Sequence, residues 1–183
     1  LALVAMKDTV REEAKKAVNA LKNHGIHVVM LTGDNEHTAK VIAKEAGVNE
    51  YVAECLPETK VEYIKKYNKQ YEQVGMVGDG INDAPALATA SVGIAMGDGT
   101  DVALETADIV LMKNNLTKIE YAIRMSRKMQ RIVKQNMFFS ISVIILLVIS
   151  NFFQAINLPL GVIGHEGSTI LVILNGLRML RTL

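Results

Sequence analysis

The chain has one cysteine in 183 residues and a formal net charge of only +1. It also carries no solenoid repeat and no low-complexity linker. A lone Cys55 excludes an internal disulfide and has no CxxC companion for a metal, which fits a reducing cytosol around the soluble part. The near-neutral charge balance gives no sign of nucleic-acid binding. The opening LALVAM is too short for a signal peptide and lacks a basic leader, and a start at Leu1 without Met points to a fragment. One further absence is local. Between Lys134 and Arg178 the only formally charged side chain is Glu166, whereas residues 1–134 carry an ordinary mixture of Lys, Glu and Asp. A soluble domain followed by a membrane segment is therefore expected.

The soluble part alternates apolar β-branched runs with amphipathic ones. LALVAM reads as a buried strand, and TVREEAKKAVNALKNHG as a helix opened by a capping box of Thr9 and Glu12 and closed near Gly25. IHVVMLTGD is a strand running into a turn. NEHTAKVIAKEAG is a helix ending at Gly47, and PETKVEYIKKYNKQ one with Pro57 in its first turn. QVGMVGDG, NDAPALATA, SVGIAMGDG and DIVLM then read as strand and turn, short helix, strand and turn, and a last strand. The alternation predicts an α/β fold with a parallel sheet covered on both faces.

Residues 115–134 predict a basic helix carrying Lys118, Arg124, Arg127, Lys128, Arg131 and Lys134 against Glu120 alone. It leads into residues 137–156, which are uncharged and long enough to span a bilayer. After an Asn-Leu-Pro turn, residues 158–177 form a second apolar stretch, followed by Arg178 and Arg181. Positive flanks at both outer ends predict a two-helix transmembrane hairpin with both ends cytoplasmic. The resulting organisation is residues 1–114 as the soluble domain, 115–134 as a stalk and 135–183 as the membrane hairpin.

Three strands run into Gly-Asp turns: Thr32-Gly33-Asp34-Asn35, Gly78-Asp79-Gly80-Ile81-Asn82-Asp83 and Gly97-Asp98-Gly99-Thr100-Asp101. Ligands of open α/β sheets sit at the carboxyl ends of the strands, so turns placed there share one crevice. A Thr hydroxyl and glycine-freed backbone N–H groups can hold phosphate oxygens, carboxylates can hold Mg²⁺, and Lys60 adds a positive point charge. Any single Gly-Asp pair is ordinary turn chemistry.

The series TGDN, PETK, GDGINDAPAL and GTDVALETAD resembles the phosphorylation domain of P-type ATPases, which are haloacid-dehalogenase-like hydrolases. KQNMFFSI and HEGSTILVILNGLRML resemble the last two membrane helices of the heavy-metal-transporting members. The HEG stretch is similar to the subgroup associated with cobalt, zinc and ferrous iron. The resemblance implies that Thr32, Gly33 and Asp34 line a phosphoryl site and that Lys60 contacts a phosphorylated aspartate. It makes Asp79 the Mg²⁺ ligand, with Asn82 and Asp83 supporting metal and phosphate, while Asp98 and Asp101 read as structural. The family's acceptor lies in a DKTG motif, which this sequence does not contain. Asp8 and Thr9 mimic its letters but read as a helix start. The ATP-binding and actuator domains and the earlier membrane helices are also missing.

The His165–Glu166 pair lies within the second apolar stretch. An ionisable pair at membrane depth needs partners, and a divalent cation satisfies both imidazole nitrogen and carboxylate oxygen. Adjacent helical residues point about 100° apart, so both reach one ion only if the backbone loosens near Gly164 or Gly167. Otherwise one is a ligand and the other a gate or proton carrier. Ser168 and Thr169 are further oxygen donors, while His24, His27 and His37 read as surface residues. The expectation is the carboxyl-terminal part of a pump that exports Zn²⁺, Co²⁺ or Fe²⁺, with Cd²⁺ and Ni²⁺ as further candidates, using ATP and Mg²⁺. Its partners would be the lipid bilayer and the missing amino-terminal part, in a bacterial plasma membrane with the soluble domain cytoplasmic. The rivals are a membrane-tethered phosphatase of the same superfamily, which needs its own nucleophile, and an inactive truncated subunit.

Overall fold

The computed structural model describes residues 10–113, 115–154 and 157–182. They fall into two compact units, residues 1–120 and 121–183. The strand expected at 1–6, together with Asp8 and Thr9, lies outside the described residues.

Unit one is a parallel α/β structure. Helix α1 spans Glu12–Asn23, and its cap is Arg11 with no side-chain bond, so Glu12 stands at the first helical position rather than the third of a capping box. Strand β1 (Val29–Leu31) pairs in parallel with β2 (Glu50–Val52). Between them α2 (Glu36–Ala46) starts where the Asn35 side chain accepts the Thr38 N–H, and it ends at Gly47 in the left-handed conformation. Helix α3 (Pro57–Gln70) starts with its proline in the first turn, where a missing N–H breaks no helical bond. Strands β3 (Gly75–Gly78), β4 (Val92–Met96) and β5 (Ile109–Leu111) form a second parallel sheet in that order. The short helices α4 (Ala84–Thr89) and α5 (Asp101–Thr106) make their crossovers.

Two of these elements, β2 and α5, were not expected from the sequence. The three residues of β2 include a glutamate and form no apolar run, and α5 is six residues long, so neither carries a periodic signal.

The core is centred on Ile64, Met76, Ala86, Leu87, Ala95 and Ala103, and Leu31 of β1 packs against it. The two sheets thus share one core. Yet among the described residues no hydrogen bond joins β1 to β3, and each keeps one edge without a neighbouring strand.

Helix α6 is continuous from Thr117 to Phe152. Its 36 residues extend about 54 Å at 1.5 Å per residue, well beyond a hydrocarbon layer of roughly 30 Å. The basic and apolar stretches are thus one helix, because no proline or glycine interrupts residues 117–152. Helix α7 (Leu158–Gly176) begins at Asn157, whose side chain accepts the Leu160 N–H. Both α6 and the segment from Pro159 to Leu180 are long and apolar enough to cross a membrane.

In unit two the pair is pinned at both ends. Near the connection, Gly164 comes so close to α6 that a Cβ there would lie 3.2 Å from Leu147 Cδ2, the close approach that small residues permit in membranes. At the other end, Asn175 Nδ2 donates to Asn136 Oδ1 at 2.8 Å, and Asn136 Nδ2 donates to the Val172 carbonyl at 3.4 Å.

Candidate phosphoryl and metal sites

The turn after β3 is built around a buried ion pair. Lys60, in the first turn of α3, reaches Asp83 with Nζ 2.6 Å from Oδ1. Both side chains are largely removed from water, at 14% and 13% exposure, so each charge depends on the other. The second Asp83 oxygen faces the Asp79 backbone N–H at 3.4 Å. Asp79 and Asn82 are themselves exposed. This division of labour follows from their place at the carboxyl end of β3, where side chains leave the sheet for the crevice.

The third turn holds the second. The Thr100 N–H donates to the Asp79 carbonyl at 2.9 Å. A Cβ on Gly99 would stand 2.8 Å from both the Asp79 and Met96 carbonyl oxygens, so only glycine lets the two turns meet. Asp98 and Asp79 line one cavity of about 290 Å³ together with Arg11, Glu13, Met96 and Leu116. Asp101 opens α5, whose cap is the Thr100 side chain accepting the Ala103 N–H.

The first turn is fixed from β2. The Thr32 N–H donates to the Val52 carbonyl at 3.0 Å, the Cys55 N–H to the Thr32 carbonyl at 2.9 Å, and the Glu54 N–H to the Asp34 carbonyl at 2.8 Å. Within the turn the Thr32 hydroxyl donates to Asp34 Oδ2 at 2.7 Å and accepts the Asp34 N–H at 3.1 Å. Gly33 and Asp34 are exposed. Burial pushes the Cys55 thiol above its ordinary value, against the opposing pull of the Thr32 backbone hydrogen bond and the Lys60 charge.

The structure thus joins Lys60, Asp83 and Asp79 directly, and Thr32, Gly33 and Asp34 form a second group at the end of β1. Among the histidines, His24 Nε2 lies 2.9 Å from Glu120 Oε1, and the His27 ring stacks on Tyr71.

In α7 the helix runs unbroken through Gly164 and Gly167, so the His165 and Glu166 side chains leave it about 100° apart. The Ser168 and Thr169 hydroxyls donate to the His165 carbonyl at 2.6 and 3.2 Å, which leaves their oxygen lone pairs available. Among the described residues Glu166 has no hydrogen-bond or ion-pair partner, and no three His, Cys, Asp or Glu side chains gather as a metal cage. The sequence reading missed Asn136 and Asn175, whose only signal was amide side chains within a charge-free stretch.

Residues 1–91 match the haloacid dehalogenase-like hydrolase family, in keeping with parallel strands that run into turns carrying Asp34, Asp79 and Asp83. The match to known proteins then extends over nearly the whole chain. It is 62% identical to the zinc-transporting ATPase of Bacillus subtilis over 97% of its own length and 28% of that protein's. It is 45% identical to the cadmium-transporting ATPase of Staphylococcus aureus over 99% of its length and 25% of that protein's. Among solved structures, a zinc-transporting PIB-type ATPase in the E2.Pi state superimposes with a TM-score of 0.89 at 41% identity, covering 95% of this chain and 28% of that one. The chain is a homologue of the heavy-metal-transporting P-type ATPases, spanning about a quarter of the length of these relatives and matching their carboxyl-terminal portion.

Proposed function

We propose that this chain is the carboxyl-terminal part of an ATP-driven pump that exports a divalent transition metal through a phosphoaspartate intermediate. The observation that carries the transport half is Glu166, a carboxylate without a partner among the described residues in an otherwise uncharged membrane helix, on a chain that also holds Gly-Asp turns at its strand ends. A carboxylate at that depth costs roughly 2.5–3.5 kcal/mol on insertion scales, and a cation at the site offsets that cost.

In the soluble unit the exposed Asp79 fits Mg²⁺. The ion takes hard oxygens from one or two carboxylates and completes its shell with water and phosphate. Bound there, Mg²⁺ supplies compensation for phosphate charge. Asp83 acts through Lys60, holding the ammonium where it faces a phosphorylated carboxylate, and through the turn that carries Asp79. Asn82 stands exposed beside it to support phosphate. Gly33 offers its backbone N–H to phosphoryl oxygens, while Thr32 and Asp34, whose hydroxyl, N–H and carboxylate are bonded to one another, would join it by exchanging those bonds for phosphoryl oxygens.

Among the described residues β1 and β3 each keep an edge without a neighbouring strand, and a parallel strand bearing the acceptor aspartate would fill the gap between them. Such a strand would come from the part of the pump that contains DKTG. Without it this chain should form no acid-stable phosphoenzyme from radiolabelled ATP and Mg²⁺, and labelling at Asp8 would overturn that expectation.

At the membrane site the unbroken α7 favours Glu166 as the ligand and His165 as a neighbouring gate or proton carrier. Thr169, three residues on, adds an oxygen on the Glu166 side of the helix, whereas Ser168 stands three residues from His165 and shares its face. A carboxylate ligand with no thiolate or thioether beside it on α7 favours borderline or harder ions such as Zn²⁺, Co²⁺ or Fe²⁺ over soft Cu⁺. In the full-length pump, Glu166→Gln should lower metal-stimulated ATP hydrolysis at least tenfold while leaving phosphorylation by inorganic phosphate intact. Wild-type metal stimulation in both Glu166→Gln and His165→Ala would reject the transport site.

A further inference from the structure

The basic stretch of α6 ends in a stripe that the transport reading does not use. Arg127, Arg131, Lys134 and Phe138 follow one another at spacings of four, three and four residues, which places them within an arc of about 60° on one helix face. All four are exposed, and with Gln130 and Gln135 they line a single shallow groove. Below Lys134, α6 carries no further formal charge. The stripe therefore stands where the helix enters hydrocarbon, with Phe138 as its first apolar member on that face.

The second helix marks the same level. Lys128 Nζ donates to the Arg178 carbonyl at 2.9 Å, and the Arg178 guanidinium donates to Asn175 Oδ1 at 2.8 Å. The Asn136–Asn175 pair lies just inside. Cations on both helices thus meet one plane, bounded on the apolar side by an amide layer. An aqueous phosphate ion would gain the charges of the stripe and nothing from Phe138. A phospholipid would place its phosphodiester against Arg131 and Lys134 and its acyl chain along the Phe138 ring.

We propose that this stripe is a docking site for the headgroup of an anionic phospholipid. Near a negatively charged leaflet each Lys or Arg favours binding by about 1 kcal/mol, which is roughly a fivefold change in association per cation. The long cationic stems lie along apolar surface while their heads reach the phosphate.

The test uses the 183-residue chain reconstituted in phosphatidylcholine vesicles containing spin-labelled phosphatidylglycerol or spin-labelled phosphatidylcholine, with lipid association read by electron paramagnetic resonance. The wild type should prefer the phosphatidylglycerol label, and the preference should fall in high salt. The triple variant Arg127→Gln/Arg131→Gln/Lys134→Gln should lose at least fivefold of that preference with its helical circular dichroism unchanged. Arg127→Lys/Arg131→Lys, which keeps the charge, should retain it. The control Lys44→Gln/Lys65→Gln/Lys69→Gln makes the same charge change in unit one and should also retain it. Equal association of both labels with the wild type, an unaltered preference in the triple variant, or a matching loss in the control would overturn the proposal. Displacement of the lipid label by millimolar inorganic phosphate would identify a soluble-anion site and overturn it too. No arm depends on metal transport, so the outcome stands apart from the fate of Glu166.

Discussion

Breaking the Lys60–Asp83 pair should unfold the soluble unit at lower denaturant, and the structure sets the size of the effect. Removing one partner of a fully buried pair costs about 3–5 kcal/mol, because the other charge is left uncompensated. Here the two side chains keep 14% and 13% of their exposure, enough for water to reach one side, so about 2–3 kcal/mol is expected for either Lys60→Met or Asp83→Asn. With a urea dependence of about 1–3 kcal/mol per molar, the midpoint should fall by on the order of 1–2 M.

The chain offers its own reporter. Cys55 is the single cysteine, it is 6% exposed, and its N–H is bonded to the Thr32 carbonyl. Its thiol becomes accessible when β1, β2 and α3 separate, so pulse labelling of Cys55 along a urea series follows unit one in the intact chain. The double variant Lys60→Met/Asp83→Asn removes both charges, and its loss should be smaller than the sum of the single losses by at least about 1 kcal/mol. Single variants within about 0.5 kcal/mol of wild type, the range of an ordinary surface change, would show a solvated pair. Strict additivity would show that the two charges do not meet. Either result refutes the reasoning.

Gly99→Ala should destabilise unit one by about 1–3 kcal/mol, since the new methyl group meets backbone oxygens that cannot rotate away; Cys55 labelling in urea checks this. Alkylation of Cys55 in the folded chain should titrate above the ordinary thiol value of 9.0. The thiol's contribution to stability is therefore complete below that value and declines as pH rises through the folded one, which a pH series of iodoacetamide rates and urea midpoints would reveal. Asn136→Leu and Asn175→Leu should each loosen the helix pair by about 0.6–1.7 kcal/mol, the measured range for hydrogen bonds between membrane helices. The double variant should recover most of that loss, read as resistance to denaturing detergent.

The helices and strands that position the site were legible where a cap or a run marked them. Asn35 and Gly47 bracket α2, Pro57 starts α3, and the β-branched and apolar residues before Thr32 and Asp79 announce β1 and β3. Strand β2 was not legible, because its fold comes from backbone pairing with β1 rather than from an apolar run. The carboxyl end of α6 was set too far along. The helix stops at Phe152, and Gln154 takes a positive φ of 53° shortly after, a conformation that no residue in Asn-Phe-Phe-Gln announces. The turns that carry the candidate residues could be placed from the sequence, but not the pairings between them. Lys60 and Asp83 are 23 positions apart and Asn136 and Asn175 are 39 apart, and no periodicity relates residues in different elements.

The polar residues of the membrane hairpin separate into two kinds by whether they find each other. Asn136 and Asn175 exchange a 2.8 Å hydrogen bond, and Arg178 bonds the remaining Asn175 oxygen. Those bonds account for their presence, since an unpaired amide in hydrocarbon would cost several kcal/mol. Glu166 lies nine residues before Asn175 on the same unbroken helix, about 14 Å along its axis and beyond reach of that network. Its own helix offers hydroxyls at Ser168 and Thr169 that are turned to the His165 carbonyl, not to the carboxylate. Packing therefore explains the amides and leaves the carboxylate unexplained. A helix pair that needed only to hold together would be more stable with Gln or Leu at 166, which is why the carboxylate, and not the amides, is the residue proposed to meet a cation.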